Sequence, residues 1–325
     1  MSLKRFAGIF AATACCLSAG GAHAGQKWDM PMAYPAANFH SVNAKEFAAC
    51  VKEGTGGEID IVTHPGGSLF KGNDIKRAVQ TGQTPIGERL LSAHENENPV
   101  FGVDSVPFLA NSYDDSVKLW NATKPELEKV LDKQGLVLLY SVPWPPQGFY
   151  FKRDVNAVAD MGGVKVRSYN NSTARISELT GMAPVQIEAA EITQALATGV
   201  IGALITSAVT GQDSKAWEQL SHFYTVEAWM PRNHVIANKS TWSALPDSQK
   251  AALKDCAAKA EAAGVEKSKA ANQAALEALA KNNMKVLPPS DALAAELRKA
   301  GATMTDEWVA KAGDAGKAVV DAYKK

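Results

Sequence analysis

Apolar positions along the chain recur with alternating periods, and the alternation predicts strands and helices in turn. Trp28 to Ala33 reads as a short first strand, followed by a loop through Tyr34 and Pro35. Phe39 to Glu53 has helical spacing, with Phe47 and Val51 on one face, and Gly54 to Gly57 ends it. Ile59 to Val62 alternates as a second strand. His64-Pro65-Gly66-Gly67 then turns the chain, and Asn73 is placed to cap a helix reaching Thr81. Val103 to Leu109 precedes a helix from Tyr113 to Asn121; another runs from Pro125 to Gln134, with Gly135 as its stop. Leu136 to Tyr140 is continuously apolar, the pattern of a strand buried on both faces.

Pro143-Trp144-Pro145-Pro146-Gln147-Gly148 breaks this order and reads as a crossing between domains rather than a regular element. A second α/β stretch follows. Val164 to Arg167 is a short strand, Ser172 to Thr180 and Ala190 to Thr198 are helices, and Ile201 to Ile205 is an apolar strand. Met230-Pro231 marks a return crossing. Pro246 to Ala280 is rich in strong helix formers, enough for one long helix or two, with Gly264 as the candidate break. Pro288-Pro289 stops this run and two last helices follow. Strands alternating with helices argue for α/β layers. A length of 325 residues argues for two domains.

The N-terminus changes the compartment. Lys4 and Arg5, the apolar run Phe6 to Leu17 and the small residues ending Ala22-His23-Ala24 form the three-part layout of an export signal over residues 1–24. Ala12-Thr13-Ala14 before Cys15 is a poor lipobox, so the expected product is a soluble exported protein, naturally periplasmic. Removing Lys4 and Arg5 leaves 32 basic residues against 34 acidic ones, a net charge of −2. That balance argues against a nucleic-acid binder. The mature chain keeps Cys50 and Cys256. In an oxidising compartment they either pair or remain as two buried thiols.

Catalytic signatures are missing. The chain has no G-x-S-x-G elbow, no G-x-x-x-x-G-K-[ST] loop and no G-x-G-x-x-G fingerprint. His94-Glu95 begins like a zinc-protease helix but lacks the second histidine, and the mature histidines His40, His64, His94, His222 and His234 have no close ligand spacing. The expectation is no enzyme, no metal and no cofactor. An exported two-domain chain with two mid-chain crossings suggests a hinged protein that traps a small solute between its lobes.

Specific residues sharpen this. Gly163-Val164-Lys165-Val166-Arg167 resembles the G-x-K-x-R element of the solute-binding proteins of tripartite ATP-independent periplasmic (TRAP) transporters, of the dicarboxylate-binding DctP type. Gly181 to Val185 resembles the G-A-x-P turn of that family, and Glu191 to Val200 its E-x-Y-x-A-L-x-x-G-V helix. Gly57 to Leu69, the Ser105 to Leu109 strand with its Pro107-Phe108-Leu109, and Asn238 with Leu245-Pro246 match further segments in order.

The resemblance implies a two-lobed α/β periplasmic-binding fold with a hinge and a long C-terminal helix spanning both lobes. Lobe I is expected over 25–144 plus 231–270, and lobe II over 145–230 plus 271–325. It implies capture of an organic acid and its delivery to TRAP membrane permease subunits, with a monomer as the default state. A sensor that binds the same solute is the competing class.

By the same resemblance Arg167 anchors the ligand carboxylate. Its planar fork fits a carboxylate and stays charged when desolvated. Gln147 stands where sialic-acid-type members carry a second arginine, and Thr206, with Ser207 next, replaces an asparagine. The expected pocket is therefore poor in charge, with Trp144 and Tyr169 as flat walls. Its expected ligand is an aryl 2-oxo or 2-hydroxy acid. A small dicarboxylate is the alternative, its second carboxylate meeting Arg232 beside Asn233. Tyr34 and Phe39 either touch the ligand or pack the core. Glu88 and Arg89 sit near a strand end facing the cleft, as ligand contacts or as a salt bridge.

Overall fold

The computed structural model describes residues 25–325; the export signal lies outside the described residues. The first two strands, β1 (Gln26–Pro31) and β2 (Ile59–His64), pair in parallel, with α1 (Phe39–Gly54) as the crossover. Trp28, Met30, Ile59 and Ile61 pack against Phe47 and Val51, the predicted apolar face of α1. Next come α2 (Gly72–Gln80), β3 (Ile86–Leu90), α3 (Tyr113–Lys133) and β4 (Leu136–Pro143).

The chain then crosses to β5 (Gln147–Phe151), β6 (Lys165–Ser168), α4 (Asn171–Leu179), β7 (Ala183–Gln186), α5 (Ile192–Ala197), β8 (Ala203–Ser207), α6 (Ala208–Asp213) and β9 (His222–Tyr224). It returns through β10 (Arg232–Asn238) and α7 (Lys239–Ser243), and ends with α8 (Asp247–Lys281), β11 (Lys285–Leu287) and α9 (Asp291–Lys324).

Two further sheets result. The returning strand β10 inserts between β3 and β4, antiparallel to both. The larger sheet has the order β11-β9-β5-β8-β6-β7 and is mixed. The two crossings run side by side. Trp144 N–H donates to the Pro231 carbonyl at 2.7 Å, Gln147 N–H to Trp229 at 2.9 Å, and Ala228 N–H to Gln147 at 3.0 Å. These hydrogen-bonded crossings join the two lobes of the α/β fold.

The long helix α8 has 35 residues and spans about 52 Å at 1.5 Å per residue. It packs against α1 and β4 on one side of the hinge and against β11 on the other. A Cys50–Cys256 disulfide, with Cα atoms 5.8 Å apart, ties α1 to α8 and settles the cysteine alternative.

Several expectations need correction. Gly264 does not break α8; an added Cβ there would lie 2.4 Å from Val142, so the glycine lets the helix approach β4 closely. The two helices expected over Tyr113–Gln134 are one, with Pro125 inside it, because Trp120, Leu127 and Leu131 on both sides of the proline bury in one cluster. Residues Pro99–Ser105 form a 3-10 turn, and Phe108 adopts a positive φ of 60°, so no strand forms over Ser105–Leu109.

The Leu136 strand is an edge strand, with Val137 to Leu139 only half-buried. Pro143, Gln147 and Gly148 belong to strands, leaving only Trp144 to Pro146 between them. Lys71, not Asn73, is the N-cap of α2. Helix α9 is interrupted at Gly313, as two last helices require. Leu293, Leu297 and Met304 join the core of Phe149 and Trp229, whereas Val319 packs with Leu119. The helix thus divides its packing between the two lobes.

A candidate ligand-binding cleft at the hinge

Strand β6 alternates Val166 into the core and Arg167 toward the hinge, where the arginine as a whole is 5% exposed. Its Nε donates to the Ile187 carbonyl at 2.9 Å, and its guanidinium carbon lies 4.6 Å from the centre of the Tyr169 ring. Among the described residues, nothing accepts a hydrogen bond from Nη1 or Nη2. Burial pulls the Arg167 pKa down, and an arginine at this depth still carries its charge. Two parallel donors of a buried fork with no protein acceptor are suited to a carboxylate.

Around Arg167 a narrow pocket is lined by Tyr34, Trp144, Gln147, Tyr169 and Thr206. These five and Arg167 are residues the sequence pointed to. Leu90, Ala189 and Thr210 complete it without having been singled out, together with Pro231, which the sequence marked only as part of the return crossing. Thr210 was legible in principle, because it stands three residues after Ser207, a cap spacing. Ser207 itself does not line the pocket; its hydroxyl caps α6 by accepting from Thr210 N–H at 3.2 Å.

Most neutral polar groups of the walls are already satisfied by one another. Tyr169 hydroxyl donates to Gln147 Oε1 at 3.1 Å and accepts from Trp229 Nε1 at 3.0 Å. Gln147 Nε2 donates to the Pro145 carbonyl at 2.8 Å, and Trp144 Nε1 to Asn233 Oδ1 at 2.8 Å. Burial pushes the Tyr34 and Tyr169 hydroxyls up in pKa, so both are neutral. Trp144 meets Tyr34 edge-on at 4.7 Å and Phe39 at 5.4 Å; Phe39 supports the wall from behind.

The remaining candidates lie elsewhere. Glu88 and Asn233 sit behind Trp144, with Asn233 Nδ2 donating to Glu88 Oε1 at 3.1 Å. Burial raises the Glu88 pKa to about 7. Arg232 points away from the pocket; it donates to Ser141 Oγ at 3.0 Å and Ser116 Oγ at 3.2 Å, and stacks over Trp120. It is not placed to meet a second carboxylate beside Arg167, because β10 sends consecutive side chains to opposite faces. Arg89 donates to His94 at 3.2 Å and to Asn73, not to Glu88, its neighbour on the other face of β3.

Contacts between the lobes close the cleft. Asn170, which caps α4, donates to Ser92 Oγ at 3.0 Å and Ser105 Oγ at 3.2 Å. A roomier groove of about 360 Å³ lies between α4 and α9, but its charges are spent on one another in the pairs Arg175–Glu307, Arg175–Glu178 and Lys311–Glu95. Among the described residues no cluster of three or more His, Cys, Asp or Glu is arranged to hold a metal, and no helix is long and apolar enough to cross a membrane.

Comparison with known proteins agrees with this architecture. Residues 32–312 match the family described as bacterial extracellular solute-binding protein, family 7. A marine metagenome TRAP solute-binding protein specific for pyroglutamate, with co-purified pyroglutamate, is 53% identical, superposes with a TM-score of 0.91, and is matched over 92% of this chain and 99% of its own. The Bordetella pertussis extracytoplasmic solute receptor DctP6, which binds pyroglutamic acid, is 46% identical with the same TM-score of 0.91 and the same coverage, 92% and 99%. A monocarboxylate 2-oxoacid-binding periplasmic protein of Nostoc sp. is 23% identical over 88% of this chain and 80% of its own length. The family match, the two-lobed fold and the hinge cleft lead to one conclusion: the chain belongs to the family 7 bacterial extracellular solute-binding proteins, the TRAP receptors that capture organic acids for transport.

Proposed function

We propose that this protein captures pyroglutamate, or a closely similar small monocarboxylate, in the Arg167 pocket and presents it from the periplasm to a TRAP membrane permease. The observation that carries the reading is the Arg167 fork, buried and without a protein acceptor for its terminal nitrogens, in a pocket of otherwise neutral walls. One cation matches one carboxylate. Relatives 53% and 46% identical, matched over nearly their whole length, bind pyroglutamate, and this supports the choice among monocarboxylates.

Pyroglutamate is a five-membered lactam with one carboxylate, one N–H and one carbonyl. The carboxylate docks on Arg167, the ring lies against Trp144, and the lactam groups meet the hydroxyls of Tyr34 and Thr206. The compact ring suits a narrow pocket better than the aryl acid expected from Trp144 and Tyr169. The position of Arg232 counts against a dicarboxylate. Closure follows the ligand, because contacts across the cleft form only when the lobes meet. The lobes divide at the two crossings, with 25–144 and 231–270 on one side and 145–230 on the other. The protein acts as a monomer that binds and releases its solute unchanged.

Calorimetry on the ligand-stripped mature protein tests the reading, with L-pyroglutamate, 2-oxobutyrate and succinate in parallel. Tight binding of pyroglutamate alone is the expected result. Preference for 2-oxobutyrate moves the protein to the 2-oxoacid class, for which the Nostoc relative is the precedent. Preference for succinate overturns the single-anchor argument.

A further inference from the structure

Behind the pocket, the wall residue Trp144 is joined by hydrogen bonds to two side chains that do not line it. Trp144 is 4% exposed, and its one polar atom, Nε1–H, donates to Asn233 Oδ1 at 2.8 Å. Asn233 in turn donates through Nδ2 to Glu88 Oε1 at 3.1 Å. Glu88 and Asn233 are 3% and 2% exposed, and neither lines the pocket. Their backbones make this possible: β3 and β10 are antiparallel neighbours in which Glu88 faces Val235 and Asn233 faces Leu90, a diagonal pair on one face of the sheet.

Three rings also pack on the indole: Tyr34, Phe39 and His40, the last with its centroid 4.4 Å away. Ring contacts are non-directional by comparison, and leave the indole free to turn its polar edge. The hydrogen bond to Asn233 is what directs that edge away from the pocket and offers the ligand an apolar face.

Glu88 is an expensive way to hold an asparagine. A carboxyl at this depth carries a desolvation cost. Its Oε2 has no hydrogen-bond partner among the described residues, nor has either ring nitrogen of His40, whose Nδ1 lies 3.4 Å from Oε1. Packing alone is served better by an apolar side chain, so the acid at this position points to a task.

We propose that Asn233 and Glu88 are positioning residues for solute capture: acting through the Trp144 indole N–H, they fix the indole as the apolar wall of the Arg167 pocket. The inference rests on the reading of that pocket as the solute site. Asn233 does the holding, and Glu88 keeps the Asn233 amide from flipping by accepting from its NH₂ end. An amide flip would set NH₂ against the indole N–H, donor against donor.

Two measurements test it. In the ligand-free protein labelled with ¹⁵N, the Trp144 indole N–H signal is one of seven and is assigned by its loss in Trp144→Phe. It is expected to shift and broaden in Asn233→Ala and in Glu88→Ala, and to stay close to its native position in Glu88→Gln, which keeps an acceptor oxygen. Calorimetry with L-pyroglutamate then reads the consequence. Asn233→Ala loses affinity about tenfold, the scale of one buried hydrogen bond. In the Trp144→Phe background, where no N–H remains, the same change costs less than about twofold. Glu88→Ala behaves like Asn233→Ala and Glu88→Gln like the native protein.

An indole signal indifferent to both residues overturns the proposal, as does an equal tenfold loss in the two backgrounds. Should Asn233→Ala fail to fold, the Glu88→Ala and Glu88→Gln pair carries the same comparison. Native protein that ignores pyroglutamate while its indole signal still responds to Asn233 and Glu88 removes the ligand assignment and leaves the positioning intact.

Discussion

The Arg167 guanidinium carbon lies 4.6 Å from the centre of the Tyr169 ring, two residues along the same extended stretch. Two residues is the period of a strand, so both side chains leave the backbone on one face. The Tyr169 hydroxyl is held from both sides, by Gln147 and by Trp229. The cation therefore rests on a ring that is itself fixed, and its free nitrogens are aimed before any solute arrives. Preorganisation of this kind lowers the ordering cost of binding.

Loss of the fork is expected to dominate the affinity. Arg167→Ala should weaken solute binding by roughly 2–5 kcal/mol, the cost of removing one partner from a desolvated charge pair. Arg167→Lys should recover little of it, because a point charge replaces neither the paired donors nor the flat contact with Tyr169. Calorimetry decides; near-native affinity in the lysine variant would refute the fork.

Glu88 gives a pH prediction with a definite sign. Its carboxyl is displaced from an ordinary 4.5 to about 7 by burial, so the folded state holds a proton that the unfolded state releases. That contribution to stability is complete below about 4.5 and is lost as pH rises to about 7. Glu88→Gln removes it. The variant should be more stable than the native protein at pH 8, by at most about 3 kcal/mol, and should lose that advantage as pH falls to 5. His40 opposes it: burial drives its pKa well down, and its contribution is lost as pH falls below 6.5. Because His40 Nδ1 lies 3.4 Å from Glu88 Oε1, the difference in urea midpoint between the two proteins reads Glu88 together with its contact to His40. A difference that does not vary from pH 5 to 8 would contradict the buried, protonated acid.

The Cys50–Cys256 bond closes a sequence separation of 206 residues. Replacing both cysteines by serine should destabilise the protein by about 2–4 kcal/mol, since long closed loops restrict the unfolded chain most. Because the bond joins α1 to α8 and no pocket residue lies on either, pyroglutamate affinity should change little. Urea unfolding and calorimetry on the same sample separate the two effects.

Gly264→Ala tests the helix–sheet contact. Alanine favours a helix interior by roughly 1 kcal/mol over glycine. Here its Cβ would come within 2.4 Å and 2.8 Å of the two Val142 methyl groups, and a β-branched side chain on a strand has little room to yield. Overpacking typically costs 1–3 kcal/mol, so the substitution should destabilise on balance. A Val142→Ala partner change should relieve it. A stabilised Gly264→Ala would show that α8 tolerates a wider spacing from β4.

Much of this fold was legible because its signals are local. The period of α1, the polar loop after Arg167 and the Pro-Pro stop before α9 depend only on near neighbours in the chain. The failures have a common cause too. Gly264 and Pro125 look like helix breakers in a window of a few residues, yet Val142 and the cluster around Trp120 override them from far along the chain. The residues of the cleft divide in the same way. Arg167, Gln147 and Thr206 were named through the family resemblance, and Tyr169, Trp144 and Tyr34 as their aromatic neighbours; all six do meet. Arg232 and Asn233 looked equally suitable, and adjacent positions on β10 sent one to Trp120 and the other behind Trp144.

By itself, then, the sequence determined the α/β alternation and the crossings near Trp144 and Pro231, since periodicity and proline geometry are written locally, and a family resemblance singled out Arg167 among the arginines. Tertiary structure decided which wall each neighbour of that arginine would join, that Cys50 would find Cys256, and that Glu88 would stand behind the pocket instead of in it. These outcomes depend on how strands distant in sequence register against one another, and a shift of one residue in that register exchanges the face toward the solute for the face toward the core.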